Sequence, residues 1–248
     1  MSELDAALAR LAAKRRLLVA SDFDGTLAPI ADHPDAVQAD SAACAALADL
    51  ATLPDTDSVV ISGRELAVLH GLLGEHARAL RLVGSHGAER GSGEELSTDE
   101  AGARDRIAAD FDVIAARTTG ALVERKPFGV AFHYRRVPEA TRAALADDAR
   151  AAVRAAGLSA QEGHMVVEAV VAESDKGTAL EALREELGAT GVFFIGDDVT
   201  DERAFERLGP GDLGVKVGPG ETIAAHRVEA QPEVARVLSR LRDLREGR

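Results

Sequence analysis

Two carboxylates separated by a single residue, Asp22 and Asp24, follow a short apolar run in the segment DFDGTL. The run Leu17 to Ala20 reads as a buried strand, and Gly25 permits the sharp turn that must follow it. In that position one carboxylate can attack phosphorus while the other protonates the leaving oxygen and later activates water. Alone, the same pair also suits a solvated turn or a cap. A calcium loop would need further acidic positions after Gly25, where Thr26 and Leu27 stand. A second acidic segment, GDDVTDE (Gly196 to Glu202), directly follows the apolar run VFFI. Asp197, Asp198 and Asp201 offer the hard oxygen ligands that suit Mg²⁺, which bridges carboxylates to phosphate. They equally fit a helix N-terminus, as a cap and as a complement to its dipole.

Two further residues extend the pattern. Ser62, in ISGR, ends the apolar run SVVI, and a hydroxyl with backbone N–H groups there can hold phosphate oxygens. Lys176, in SDKG, opens a helix, where the dipole disfavours a cation. An ammonium beside carboxylates and a phosphate would be favoured there in spite of the dipole.

These residues need a scaffold that brings strand ends together. Apolar runs at Leu17 to Ala20, Ser58 to Ile61, Leu80 to Gly84, Val192 to Ile195 and Leu213 to Val217 predict strands. Helical spacing predicts helices over Ala39 to Leu53, Glu65 to Leu73, Lys176 to Leu187, Asp201 to Leu208 and Pro232 to Leu244. This alternation implies an α/β fold: a doubly wound parallel sheet, whose ligands lie beyond the carboxyl ends of its strands. The middle of the chain differs. Gly91 to Gly102 reads as a polar loop with Pro29 and Pro34 marking another earlier on, and a helix is expected over 103–117. Strands Leu122 to Lys126 and Val130 to Tyr134 flank a turn at Pro127 to Gly129. A helix from Pro138 to Ala156 and strands Leu158 to Glu162 and Met165 to Val171 complete an inserted α+β module. The expected division is therefore 1–102 and 173–248 for the sheet domain and 103–172 for the insert.

Composition narrows the partners. The net charge of −13 disfavours nucleic acid and anionic membrane, and no long Lys/Arg run overrides it. A phosphorylated ligand would need cations placed locally. Cys44 is the only cysteine, so no intramolecular disulfide forms, and its apolar helical setting reads as a buried thiol. No signal segment and no membrane-length apolar run is read, so a cytoplasmic location is expected.

In this order DFDGTL, ISGR, SDKG and GDDVTDE resemble the haloacid dehalogenase-like phosphatases. That resemblance implies Asp22 as nucleophile, Asp24 as acid/base, and Ser62 and Lys176 on phosphate. It places Mg²⁺ on Asp197, the Asp22 side chain and the Asp24 backbone, with Asp198 and Asp201 close behind, and makes the insert a cap over the site. Further segments are similar to one branch, the trehalose-6-phosphate phosphatases: GSHGAE, VERKPFGVAFHYR, VVEA and GDDVTDERAF, from about Leu17 to Val217. By that resemblance the substrate is a small sugar phosphate, and Glu124, Lys126, Arg135 and Glu168 bind its hydroxyls. Arg64 and His86 join them as candidate substrate contacts, while His133 reads as structural. One departure stands out: Val170 and Val171 occupy the place of the family's common Arg–Pro pair.

Overall fold

The structure, a computed structural model, describes residues 2–30, 37–91, 96–163, 165–171 and 174–247. Pro34 and His164 lie outside the described residues. The chain forms two compact units, Met1–Ser92 with Ser174–Arg248, and Gly93–Glu173.

The first unit is built on six parallel strands: β1 (Leu17–Ser21), β2 (Thr56–Ile61), β3 (Arg81–Val83), β8 (Gly191–Gly196), β9 (Leu213–Val217) and β10 (His226–Val228). Their spatial order is β10-β9-β8-β1-β2-β3. Every pairing is parallel, so each strand must return by a crossover. The order reverses between β1 and β8, which is where open parallel sheets hold ligands, beyond the carboxyl ends. Alternation along β1 explains the two-sided core. Leu17 and Val19 join one apolar cluster, with α1 (Glu3–Ala12), α2 (Ser41–Ala51), α3 (Leu66–Leu73) and α8 (Val234–Glu246). Leu18 and Ala20 join another, with α6 (Lys176–Leu187) and α7 (Val199–Phe205). Cys44 is fully buried in α2, and burial, with the nearby charge of Asp40, pushes its thiol up to about 12.

The second unit packs α4 (Thr98–Ala115) and α5 (Glu139–Ala155) on one face of an antiparallel sheet. Its strands are β4 (Leu122–Lys126), β5 (Gly129–His133), β6 (Ser159–Gly163) and β7 (Val166–Val170), in the order β4-β5-β7-β6. Val130, Phe132, Val167 and Ala169 point into the helices, and Phe132 meets Phe111 with ring centroids 5.5 Å apart. The register aligns Glu124, Ala131 and Glu168 in one row across the sheet. Alternation therefore gives that row to the face without helices.

Three boundaries differ from expectation for one reason. α4 begins at Thr98, inside the segment read as a loop, because Ser97 and Glu100 form a reciprocal capping box. α1, not expected, begins after Ser2 with the same device to Asp5. α7 begins at Val199, two residues early, capped by Asp198 with Asp201 at the third helical position. β10, also unforeseen, is an edge strand of three residues.

Arg245 fastens α8 to the far end of the sheet. It is 8% exposed, and its guanidinium donates to the carbonyls of Ala12, Lys14, Arg15, Pro54 and Asp55 and to the Thr56 hydroxyl. Removing the donors strands buried carbonyls, each at a cost of about 1–3 kcal/mol where water cannot enter. Arg245→Met should lower stability by roughly 3 kcal/mol or more, read as a denaturant midpoint shift at unchanged slope. An unshifted midpoint would show that the guanidinium contributes nothing.

Candidate active site

Asp22 is placed by the end of β1, where its N–H donates to Ile195 O of β8 at 2.9 Å and the Ser21 hydroxyl donates to its carbonyl at 2.8 Å. It is 3% exposed. The Lys176 ammonium, equally buried, donates to Asp22 Oδ1 at 2.6 Å and to Asp201 Oδ1 at 2.8 Å. This answers the unfavourable position of a lysine at a helix start. Asp175 caps α6, Thr178 closes the capping box, and Lys176 is held between two carboxylates. Burial by itself would lower its pKa, but Asp22 and Asp201 together outweigh that and raise it, so the ammonium stays charged.

Burial drives the carboxyl of Asp22 well above the ordinary range. Lys176 opposes this, and the charges on Asp201 and Asp197 add to it. Asp197, at the end of β8, is pushed up to about 6, chiefly by burial and next by the charge of Asp201. Carboxylate oxygens of Asp22, Asp197 and Asp201 lie within 4.8 Å of one another. Their chemical states differ. Asp201 spends both oxygens, one on Lys176 and the other on Asp198 N at 2.9 Å. Asp197 Oδ1 is buried with no hydrogen-bond partner among the described residues. An orphaned oxygen beside a second buried carboxylate fits a cation ligand set, and a bound cation would offset the burial and the lesser mutual repulsion that raise both groups. The approach is close: at Gly25, with φ +80°, a Cβ would come within 2.1 Å of Asp197 Oδ2.

Asp24 turns elsewhere. Its carboxylate is held in a bidentate pair by Arg64, Nε to Oδ2 and Nη2 to Oδ1, both at 2.7 Å. The same guanidinium lies 5.8 Å from the Phe23 ring centroid. Arg64 belongs to the loop after β2, where Ser62 is 1% exposed and its hydroxyl accepts from Arg64 N at 3.2 Å. The GSHGAE segment is stitched onto this loop, with Ser85 N donating to Arg64 O and His86 N to Ser62 O, both at 2.9 Å. Ser85 and His86 both hold positive φ, 48° and 56°. Two consecutive non-glycine residues in that region mark a constrained loop. The His86 ring covers Gly63, where a Cβ would come within 2.4 Å of Nε2.

The structure thus brings Asp22, Lys176, Asp197 and Asp201 together, with Asp24, Arg64, Ser62 and His86 at the neighbouring strand ends. Asp198 is exposed and serves as the cap of α7, accepting from Val199 N at 2.6 Å. In the second unit Lys126 pairs with Glu168 at 2.7 Å, both half-buried, and Glu124 with His133 at 2.7 Å. All four lie on the helix-free face, so His133 belongs with the other three. Arg135 is exposed just beyond β5. Val170 and Val171 are buried, and Val171 N donates to Phe128 O. Sequence reasoning passed over Lys216, whose signal was a single charge inside the apolar strand LGVKV. It is 3% exposed, and its ammonium donates to the carbonyls of Asp197 and Val217.

The profile of the trehalose-phosphatase family matches residues 20–236. The chain belongs to that family. Among trehalose-phosphatases and their relatives, it is 37% identical over 238 residues to the bifunctional trehalose-6-phosphate synthase/phosphatase of Thermoproteus tenax, covering 93% of this chain but 32% of that protein. It is 36% identical to the trehalose-6-phosphate phosphatase of Escherichia coli, covering 86% of this chain and 82% of that one. The C-terminal domain of the C. albicans trehalose-6-phosphate phosphatase superimposes with a TM-score of 0.78 at 22% identity over 98% of both chains. The parallel core with an α+β insert is the haloacid dehalogenase-like fold of these trehalose-phosphatases. Among the described residues no helix is long and apolar enough to cross a membrane.

Proposed function

We propose that this chain hydrolyses trehalose 6-phosphate to trehalose and phosphate, with Asp22 as nucleophile, and that Mg²⁺ is its cation. The carrying observation is the buried constellation at the β1/β8 switch point: a carboxylate aimed by Lys176 beside a second carboxylate with an orphaned oxygen. The chain spans only about a third of the T. tenax relative, while the E. coli protein, of which it spans 82%, supports the narrower activity.

In the first half-reaction an Asp22 carboxylate oxygen bonds to phosphorus and the bond from phosphorus to the sugar oxygen breaks. The proton on Asp24 passes to that oxygen, releasing the sugar. In the second half, Asp24 takes a proton from a water that attacks phosphorus, breaking the bond to Asp22 and freeing phosphate. Lys176 holds Asp22 in one rotamer throughout, and Ser62 with its loop amides binds phosphate oxygens. Mg²⁺, held by Asp22 and Asp197 with the Asp24 carbonyl, would supply the positive charge that lets two carboxylates and a phosphate dianion share one site. Arg64 acts on Asp24: its fork fixes the carboxylate in the resting enzyme, and Asp24 must leave that fork, protonated, to serve as acid. The unit Gly93–Glu173 acts as the cap that reads the sugar. Glu124, Lys126 and Glu168 form charge-assisted hydrogen bonds to hydroxyls, with Arg135 and His86 as further contacts. Its ligand is a small molecule, not nucleic acid or membrane, and the enzyme works in the cytoplasm.

Phosphate release across a panel of sugar phosphates with Mg²⁺ tests the substrate. Trehalose 6-phosphate should exceed glucose 6-phosphate in kcat/KM by at least about tenfold, since a site built to bond the second sugar loses those bonds with the monosaccharide. Equal values would sink the substrate assignment. A higher value for sucrose phosphate or a phosphorylated glycosyl-glycerate would move it to that substrate. Excess chelator should abolish turnover and added Mg²⁺ restore it; full activity in chelator would exclude a required cation.

A further inference from the structure

Lys216 lies in β9, among residues whose side chains are apolar. Alternation sends Leu213, Val215 and Val217 into one apolar cluster. It sends Gly214 and Lys216 to the opposite face, where a Cβ on Gly214 would meet Phe205 of α7 and Leu208 just beyond it. The register sets Lys216 beside Gly196, the last residue of β8, so the ammonium emerges next to the loop that carries Asp197. A buried ammonium is expensive unless its hydrogen bonds are made. Here the bonds go to two main-chain carbonyls, those of Asp197 and Val217, and among the described residues it forms no ion pair. A valine or leucine would fill the same strand position without that expense. What the lysine provides is a charged donor fixed on the backbone of Asp197, the residue whose side chain carries the orphaned oxygen.

Resting on the reading of Asp22 and Asp197 as cation ligands, we propose that Lys216 is a positioning residue for the cation site. Its ammonium clamps the Asp197 carbonyl and so fixes the peptide from which that carboxylate projects. It touches neither substrate nor reacting atoms and acts through Asp197 alone. Partners that orient metal ligands are typically worth 10–100-fold in metal affinity. Lys216 differs from Lys176 in this respect. Lys176 bonds the carboxylates themselves and orients the nucleophile, whereas Lys216 bonds the main chain and leaves Asp197's carboxylate to the cation.

The test reads cation binding directly, with no substrate present. Mn²⁺ affinity is measured by electron paramagnetic resonance, and Mg²⁺ by competition, for the whole chain and for Lys216→Met and Lys216→Arg. Melting temperature in chelator is recorded in parallel. Lys216→Met should weaken Mn²⁺ at least tenfold, and Lys216→Arg, which keeps the donors, should stay within about threefold of wild type. At saturating Mg²⁺ the methionine variant should recover most of its kcat, so its defect is confined to the concentration of cation needed. Mn²⁺ affinity within twofold of wild type in Lys216→Met would overturn the proposal whatever its melting temperature, since a purely structural clamp would change only the latter. An arginine variant as weak as the methionine one would overturn it too, because donation to the carbonyls would not then be what matters. Should Lys216→Met fail to fold, Lys216→Gln, too short to span both carbonyls, takes its place under the same tenfold criterion. Wild-type protein that binds no cation at all would instead defeat the underlying ligand assignment, an outcome separate from a variant that binds as wild type.

Discussion

Asp22→Asn should reduce kcat by about 10⁴-fold or more while leaving the fold intact, the scale of loss seen when a covalent nucleophile is removed. The amide keeps the shape of the carboxylate and its oxygen can still accept from Lys176, which now donates to Asp22 Oδ1 at 2.6 Å. What it loses is the nucleophile and a negative charge. Burial, with the charges of Asp201 and Asp197, raises the Asp22 carboxyl well above its unfolded value, against the pull of Lys176. A carboxyl raised in this way is favoured by folding in its neutral form, so at neutral pH its ionisation works against the folded state. In chelator the asparagine variant should therefore melt no lower than wild type, and its cation affinity should fall because one ligand oxygen is gone. Turnover within tenfold of wild type would exclude Asp22 as nucleophile. A melting temperature many degrees lower would mean that the lost activity reports misfolding instead.

The elements that carry this site were legible because its residues sit where sequence patterns change. DFDGTL, ISGR and GDDVTDE each follow a run of apolar residues, and a run of that length in a parallel sheet can end only at its ligand-binding edge. Asp22, Ser62 and Asp197 were placed by that logic, and the strand order β3-β2-β1-β8-β9-β10 puts the switch point between Asp22 and Asp197. Three things were harder to see. The capping boxes at Ser2, Ser97 and Asp198 set helix starts through pairs of polar residues, so apolar periodicity placed two of those starts late and missed α1 altogether. Sequence gives charges but not their pairing: nothing in GDDVTDE says that Asp201 turns inward to Lys176 while Asp198 caps the helix. Arg64, a candidate substrate contact, holds a bidentate pair with Asp24, 40 residues away in the chain, which ISGR alone does not announce. Lys216 carries no signal of its own, being a single charge inside the apolar strand LGVKV. Its burial comes from the packing of its face, where it sits beside Gly196 of β8 and where Phe205 and Leu208 cover Gly214, none of which the strand pattern reports.

Lys176→Met should damage both stability and turnover, and the two losses have one origin. The ammonium is the cation bonded to both Asp22 and Asp201, which are 3% and 0% exposed. Methionine fills much of the volume but leaves two buried carboxylates without their common partner. Breaking a buried pair from one side typically costs about 3–5 kcal/mol, because the remaining charge stays out of water. For a chain of this size that is a fall in melting temperature of roughly 10 °C. Loss of the fixed Asp22 rotamer should lower kcat by about 10²-fold or more even where the variant is folded. Two controls separate charge from packing. Saturating Mg²⁺ should raise the melting temperature of the variant by more than it raises that of wild type, because the ion replaces part of the missing positive charge beside Asp22 and Asp197. In chelator, adding Asp22→Asn to Lys176→Met should restore several degrees, since one of the two stranded carboxylates is then neutral. Strict additivity of the two substitutions would mean that Lys176 and Asp22 do not interact, and the 2.6 Å contact would carry no energy. A sub-additive cycle whose coupling shrinks as Mg²⁺ is added would identify the lysine and the cation as complementary charges serving the same carboxylate.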